Sequence, residues 1–126
     1  MTSNLDRTKD FIALWSRIDL EAILAMMAPH CIYHNMPWAP LQGHDAIREG
    51  LTSFLAGAAA IDWQLLHAAE NRDGMVMTER VDRFLIADRW IEMPVMGIFE
   101  WQDGLIIHWR DYFDSARFQA EMATIS

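Results

Sequence analysis

Met-Thr-Glu-Arg-Val-Asp, residues 77–82, has the pattern of a β-strand and yet carries three charged side chains. Because successive side chains of a strand point to opposite faces, Thr78, Arg80 and Asp82 share one face. If that face were in solvent, the arginine and the aspartate would form an ordinary surface ion pair. If it points into the core, charge stands where it is costly, and such groups are mainly paired and functional. The rest of the chain decides between the two interpretations.

The first half of the chain has a predominantly helical pattern. Apolar side chains at helical spacing predict a helix over residues 5–18. A second helix begins at Asp19 as its N-cap, and Pro29 ends it. A short strand over residues 31–36 and a third helix over residues 44–58 follow.

From residue 61 onward the apolar pattern has a period of two, which predicts strands joined by short turns. Gly97, isolated inside the third of these strands, predicts a bend. Asp114 caps a short final helix that reaches Met122. The four predicted strands cover residues 61–70, 74–85, 90–101 and 105–113.

Helices followed by a meander of antiparallel strands indicate the α+β class, with the helices on one face of the sheet. A strongly curved sheet closed by three to four helices would form a cone around an apolar pocket. The length of 126 residues predicts a single domain over residues 1–126. Six Trp, six Phe and nine Met are many for this length, and they indicate a bulky core or a lined cavity.

Charge and cysteine content exclude several classes of function. The net charge is −8 and the basic residues do not cluster, so we expect neither nucleic acid nor membrane as a partner. The one cysteine, Cys31, and residues 1–4, which lack the features of a signal peptide, indicate a cytoplasmic protein. His30 and His34 lie four apart across a predicted strand rather than on a helix, and we therefore expect no metal.

Polar side chains recur on the faces of three predicted strands that should point inward. Arg80 and Asp82 lie between Val76 and Phe84 on their own face, and Asp111 lies between Trp109 and Phe113. A solvated face would not normally carry such bulky apolar neighbours. The candidates to converge in one pocket are Tyr33, Asn35, Arg80, Asp82 and Asp111.

Charge counting suggests what this group can do. An arginine between two aspartates in a dry pocket favours one shared proton, which leaves one carboxylate and one carboxylic acid. The carboxylate suits a general base and the acid a general acid. The hydroxyl of Tyr33 and the amide of Asn35 can hold a water molecule. The set therefore predicts addition of water to a small neutral electrophile.

Three motifs resemble those of limonene-1,2-epoxide hydrolases, and the resemblance covers nearly the whole chain. They are Tyr-His-Asn-Met-Pro at residues 33–37, Thr-Glu-Arg-Val-Asp at 78–82 and Trp-Arg-Asp-Tyr-Phe-Asp at 109–114. The resemblance implies a nuclear-transport-factor-2-like (SnoaL-like) cone with a mixed sheet, usually a homodimer, that needs no cofactor. It also implies hydrolysis of an epoxide in one step, without a covalent enzyme intermediate.

The resemblance assigns a role to each polar residue. Asp111 is expected to take a proton from a water molecule that Tyr33 and Asn35 also hold. Asp82 is expected to protonate the epoxide oxygen, and Arg80 to bridge the two carboxylates. Matching positions imply that the apolar epoxide contacts Phe54, Phe84, Met93, Val95, Trp109 and Phe113. The shapes of Phe84 and Met93 and the absence of the N-terminal extension of terpene-degrading relatives leave the substrate open.

Two other functions fit the same predicted fold. One is proton transfer, as in steroid isomerases and polyketide cyclases, which use an aspartate but need no arginine between two carboxylates. The other is a non-catalytic module that binds a ligand or forms a dimer. Such a module would not require the water-binding pair Tyr33 and Asn35.

Overall fold

The helices lie mostly before the long strands, as the sequence predicts. The structure is a computed structural model and describes residues 2–125. Its helices are α1 (Asn4–Leu14), α2 (Leu20–Ala25), α3 (His44–Gly57) and α4 (Ser115–Ala123), and a 3₁₀ turn (Trp15–Arg17) follows α1. Its strands are β1 (Met27–Asn35), β2 (Leu41–Gln42), β3 (Ala60–Glu70), β4 (Val76–Ile86), β5 (Arg89–Gln102) and β6 (Leu105–Tyr112).

The described strands form one curled, unclosed sheet in the order β2-β1-β6-β5-β4-β3. Strands β3 to β6 are the predicted antiparallel meander. Strand β1 joins this meander in parallel, next to β6, so the sheet is mixed. The α+β class and the cone-like arrangement predicted from the sequence are therefore confirmed.

Helix caps occur where the sequence places them. The side chain of Asp19 accepts a hydrogen bond from the backbone N–H of Ala22 at the start of α2. Asp114 accepts one from the N–H of Arg117 at the start of α4. Each cap satisfies a backbone donor that the first turn of a helix leaves free, and so fixes where the helix begins.

The prediction that Pro29 ends the second helix is wrong. Helix α2 already ends at Ala25, and Pro29 lies inside β1. The pairing of β1 with β6 shifts register between Met27 and Ile32. Pro29 is exposed at this irregularity, where its missing N–H removes no hydrogen bond from the ladder. Tertiary strand pairing has here displaced the local preference for a turn.

The core lies between the concave face of the sheet and the helices. Phe11 of α1 and Trp15 contact the ring of Trp109 on β6 at centroid distances of 5.1 and 5.7 Å. Helix α3 adds the buried side chains of Ile47 and Leu55. No helix in the described part of the chain combines the length and apolar character that crossing a membrane requires.

Candidate active site

Arg80 is the centre of the candidate site and has no exposed side-chain surface. Its Nε and Nη2 donate to the two carboxylate oxygens of Asp82, both at 2.9 Å. Its Nη2 and Nη1 donate to the two oxygens of Asp111 at 2.8 and 3.2 Å. Nη1 also donates to Oγ1 of Thr78 at 3.1 Å. All five N–H groups of the guanidinium are thus used, so Arg80 holds its neighbours and has none left for a ligand.

The sheet register brings the charged groups together. Thr78, Arg80 and Asp82 share the concave face of β4, and Thr78 pairs with Gly97 of β5. Gly97 in turn pairs with Asp111 of β6, so the arginine reaches Asp111 across the glycine. The side-chain face that the sequence pattern assigned to each of these residues is the face on which it lies.

Gly97 leaves the space that this crossing needs. A Cβ atom at this position would lie 2.4 Å from Nη1 of Arg80 and 2.5 Å from Oδ1 of Asp111. The register runs without a shift through Gly97 on both sides, and the irregularity of β5 lies later, between Glu100 and Trp101. This register excludes a β-bulge at Gly97, and the predicted bend stays a prediction; close approach of charged side chains is a separate reason for a glycine here.

We expect Gly97→Ala to destabilise the protein by about 2 kcal/mol, because a buried methyl group forces its neighbours to move. Displaced carboxylates should also reduce turnover about a hundredfold. Urea unfolding and steady-state kinetics measure the two effects. Gly57→Ala is the matched control, since a Cβ there would meet no atom within 4 Å. Wild-type stability and activity in Gly97→Ala would contradict this role.

Tyr33 and Asn35 lie next to Asp111 because β1 runs parallel to β6. Asn35 pairs with Asp111 in the register, and Tyr33 pairs with Trp109. The amide Nδ2 of Asn35 donates to the hydroxyl of Tyr33 at 3.1 Å. Burial, followed by the negative charge of Asp111, raises the pKa of Tyr33, so its hydroxyl keeps its proton. Three polar groups thus meet at one place on the sheet.

Trp109 supports Asp111 from behind. Its ring is fully buried, and its Nε1 donates to Oδ1 of Asp111 at 2.7 Å. The ring also stacks on Tyr33, with centroids 4.2 Å apart and planes 16° from parallel. Trp109 therefore fixes the orientation of two polar residues at once.

Burial sets the protonation of Asp82. Desolvation raises the pKa of Asp82 to about 6; the charge of Arg80 opposes this increase and that of Asp111 adds to it. Burial alone would lower the pKa of Arg80, but the two aspartates outweigh it and raise that pKa. The guanidinium carbon lies 5.0 Å from the ring centre of Trp63, which adds a cation–π contact. Asp82 is thus suited to carry a proton while the arginine stays charged.

The polar cluster opens onto a cavity of about 400 Å³. Tyr33, Asn35, Asp82 and Asp111 form its polar wall, and the remaining wall is apolar or aromatic. The described residues contain no group of three or more His, Cys, Asp or Glu side chains placed to hold a metal ion. Burial raises the pKa of the Cys31 thiol to about 12, which leaves it unreactive.

Comparison with known proteins agrees with this geometry. Residues 2–123 match the limonene-1,2-epoxide hydrolase catalytic domain. The chain belongs to this family. Epoxide hydrolase EphG of Mycobacterium tuberculosis is 28% identical over 97 residues, which are 76% of this chain. The match spans 63% of the length of that relative.

Solved structures share the fold at low sequence identity. A limonene-epoxide-hydrolase-like epoxide hydrolase of M. tuberculosis is 22% identical, with a TM-score of 0.80 over 97% of this chain and 90% of that one. An NTF2-like protein of unknown function from Burkholderia pseudomallei is 18% identical, with a TM-score of 0.79 over 99% and 98%. At these identities the structures show the fold alone, and that fold is the nuclear-transport-factor-2-like cone that the motifs imply.

Five of the six residues that the family resemblance assigns to substrate contact line the cavity. The cavity is lined by the predicted residues Phe54, Phe84, Met93, Val95 and Phe113. Trp109 is the exception, because it lies beneath Tyr33 and Asp111 and does not line the cavity. Its predicted contact with substrate is therefore replaced by its hydrogen bond to Asp111.

The sequence pattern missed several lining residues of this limonene-1,2-epoxide hydrolase family member. They are Trp15, Trp38, Ala39, Leu41, Gly50, Leu51, Trp63 and Phe118. Trp63 pairs with Asp82 in the register of β3 and β4. Counting along the predicted hairpin from its turn would have placed Trp63 opposite Arg83 instead, because the register shifts between Leu65 and His67. Trp38 follows a proline in a short loop, where no periodicity indicates a direction.

Proposed function

We propose that the protein hydrolyses a small apolar epoxide to a vicinal diol by general acid–base catalysis. The main support for the proposal is that Arg80 forms ion pairs with both Asp82 and Asp111 at the wall of an apolar cavity. Both carboxylates are about 95% buried, a costly arrangement that suits a chemical role. Membership in the limonene-1,2-epoxide hydrolase family supports the same reaction.

The water molecule is proposed to bind between Asp111, Asn35 and Tyr33. Asp111 accepts one of its protons, while the other two groups orient its oxygen toward the epoxide carbon. Trp109 keeps the accepting carboxylate in place through its hydrogen bond of 2.7 Å. As the water oxygen bonds to carbon, the bond between that carbon and the epoxide oxygen breaks. No enzyme nucleophile is needed, so no covalent intermediate forms.

Asp82 is proposed to give its proton to the epoxide oxygen as the ring opens. A pKa of about 6 supports this role, because it lies above that of an ordinary aspartate and near neutral pH. After one turnover Asp82 is ionised and Asp111 holds a proton. The site resets when a proton leaves Asp111 and another returns to Asp82 through bound water.

We expect kcat/KM to fall as the pH rises through about 6, by roughly tenfold per pH unit above that value. The raised pKa keeps Asp82 protonated below this point, and its loss of the proton above it removes the acid. A pH–rate profile measured on a small epoxide tests the sign. Asp82→Asn should lose most of the turnover, and its pH–rate profile should no longer show the decrease above about pH 6. A wild-type rate that stays constant from pH 5 to 9 would contradict the acid role.

One experiment tests the reaction and its mechanism together. Excess enzyme is mixed with limonene oxide, cyclohexene oxide or styrene oxide in heavy-oxygen water, and the diol of the first turnover is analysed. Direct attack by water puts the heavy isotope into that diol. An ester intermediate would instead deliver a light oxygen from an aspartate. Absence of diol from every substrate would reject the epoxide hydrolase proposal.

Tyr33 and Asn35 favour hydrolysis over the alternatives. An isomerase or cyclase that only moves a proton needs no site for a second reactant beside its aspartate. Here a hydroxyl and an amide lie within hydrogen-bond distance of each other beside Asp111, on the cavity wall. That arrangement supports a bound water molecule as reactant rather than an empty binding pocket.

The remaining predictions concern the whole chain. We propose that it works as one domain, and the family match over residues 2–123 supports this. A homodimer stays a prediction, supported by the half-exposed side chains of Leu66, Met96 and Tyr112, which line a shallow groove together. The reaction as proposed needs no cofactor, and a cytoplasmic location rests only on the sequence.

A further inference from the structure

We infer that the epoxide bound by this protein carries an aromatic ring and no charged group. The inference rests on the proposed function and narrows its substrate class. Eight of the seventeen residues that line the cavity are aromatic. The arrangement of these rings, the charges of the lining and the cavity volume together favour an aryl epoxide.

Seven of the eight aromatic rings form three groups around the cavity, and the eighth belongs to Tyr33 in the polar wall. Trp15 and Trp63 stack deep in the wall, with centroids 4.2 Å apart. Phe54 and Phe84 meet edge to face at 5.0 Å and 88°. The third group joins α4 to the loop after β1 and comprises Trp38, Phe113 and Phe118. A ligand in this cavity therefore meets ring faces and ring edges on several sides.

Such a wall distinguishes an aryl group from a saturated ring of the same carbon count. Aromatic pairs attract each other beyond simple burial, because the negative face of one ring meets the positive edge of another. A phenyl ring can take both roles, whereas the thicker cyclohexyl ring has neither a π face nor a polarised edge. Phe and Trp side chains also have few rotatable bonds, so the slots between them keep their shape.

The charges of the lining exclude an anionic substrate. The cavity walls contain two aspartates, and none of the described lining residues is Lys, Arg or His. Arg80 lies behind the carboxylates with all its donors used. A carboxylate on the substrate would therefore be desolvated without a cationic partner, beside the ionised base Asp111. The net charge of −8 adds long-range repulsion.

The volume sets the size of the substrate. The cavity of about 400 Å³ lies near the small end of the range of about 300–1,000 Å³ that is typical of small-molecule pockets. A cavity of this size suits one aryl ring, the epoxide and a small second substituent. A long-chain epoxide exceeds it, and a bare cyclohexene oxide leaves much of the aromatic wall uncovered.

Two matched pairs of compounds test the inference. The first is phenyloxirane against cyclohexyloxirane, compared both by turnover and by the inhibition constants of their diol products. Product binding does not depend on the intrinsic reactivity of a benzylic carbon. The second is 3-phenyloxirane-2-carboxamide against the carboxylate of the same shape. We expect at least tenfold tighter binding of the phenyl diol, and at least tenfold higher kcat/KM for the amide.

Variants locate the preference in the cavity. Trp38→Leu, at a position 43% exposed, should reduce the phenyl-to-cyclohexyl ratio about threefold or more. Phe118→Leu should reduce the same ratio, and this second variant keeps the test valid if one of the two does not fold. Trp90→Leu is the control, because Trp90 is similarly exposed at 41% but does not line the cavity.

The outcomes separate this inference from the proposed function. Equal conversion and binding of the phenyl and cyclohexyl compounds would overturn the aryl preference and leave epoxide hydrolysis standing. Faster turnover of the carboxylate than of the amide would overturn the neutral class. Absence of diol from every epoxide, including cyclohexene oxide, would overturn the proposed function and the inference together.

Discussion

Asp111→Asn will leave the fold intact and reduce kcat by about a thousandfold, because an amide cannot accept a proton from water. The asparagine side chain has the same shape, and its oxygen can still accept the hydrogen bonds from Nε1 of Trp109 and Nη1 of Arg80. Its amide NH2 group then faces Nη2 of Arg80, which costs some stability, but Arg80 keeps its two hydrogen bonds to Asp82. A second effect acts in the same direction. The charge of Asp111 contributes to the raised pKa of Asp82, so its removal lowers that pKa and less of the acid keeps its proton.

Steady-state kinetics with a small epoxide measure the loss, and thermal unfolding checks the fold. Asp62→Asn is a suitable control, because Asp62 lies on β3 of the same sheet and pairs with Arg83 away from the site. We expect the control to retain its activity. Full activity in Asp111→Asn would show that the base has been wrongly assigned.

Arg80→Ala will abolish turnover and destabilise the fold by about 4 kcal/mol at neutral pH, because it leaves two buried carboxylates without their cation. The substitution also removes the cation–π contact with Trp63 and leaves a void between β4 and β6. Arg83→Ala is a matched control on the same strand. Arg83 points to the opposite face, where it pairs with Asp62 and Glu92, and such an accessible pair is worth under about 1 kcal/mol.

Urea unfolding at two pH values separates lost charge pairing from lost packing. Without the arginine, which lowers the pKa of Asp82 in the wild type, that pKa rises further above its value in the unfolded chain. A carboxyl group whose pKa is raised by folding destabilises the native state as the pH rises through that value. The loss of unfolding free energy in Arg80→Ala should therefore be smaller at pH 5 than at pH 7. An equal loss at both pH values would indicate that only packing is lost, and wild-type stability would contradict the bridging role.

The sequence was sufficient to place the polar residues because strand alternation is strict. A period of two assigns Arg80, Asp82 and Asp111 to one face, and the structure confirms that they meet there. Strand alternation does not show how deeply a side chain is buried. Trp109 shares the face of Asp111 but lies beneath it, because Phe11 and Trp15 pack against its ring. That difference depends on how the helices cover the sheet, which no local pattern contains.

The positions of Pro29 and Trp15 could not be predicted from the sequence for a similar reason. Pro29 follows a helix and reads as its end, yet pairing of β1 with β6 carries the strand through it. Trp15 fits the apolar stripe of its helix and reads as core, although it also lines the cavity. Each case involves residues that are distant in sequence, so single-sequence periodicity has no access to the contact that decides it.

The need for a residue without a side chain at position 97 constrains the order in which mutations can assemble this site. A side chain at position 97 would collide with Arg80 and Asp111, whereas glycine leaves room for both. A lineage that acquires the arginine first passes through an intermediate with a steric clash, and one that acquires glycine first does not. Mutant libraries that aim to give other proteins of this fold epoxide hydrolase activity should therefore introduce the glycine before, or together with, the charged residues.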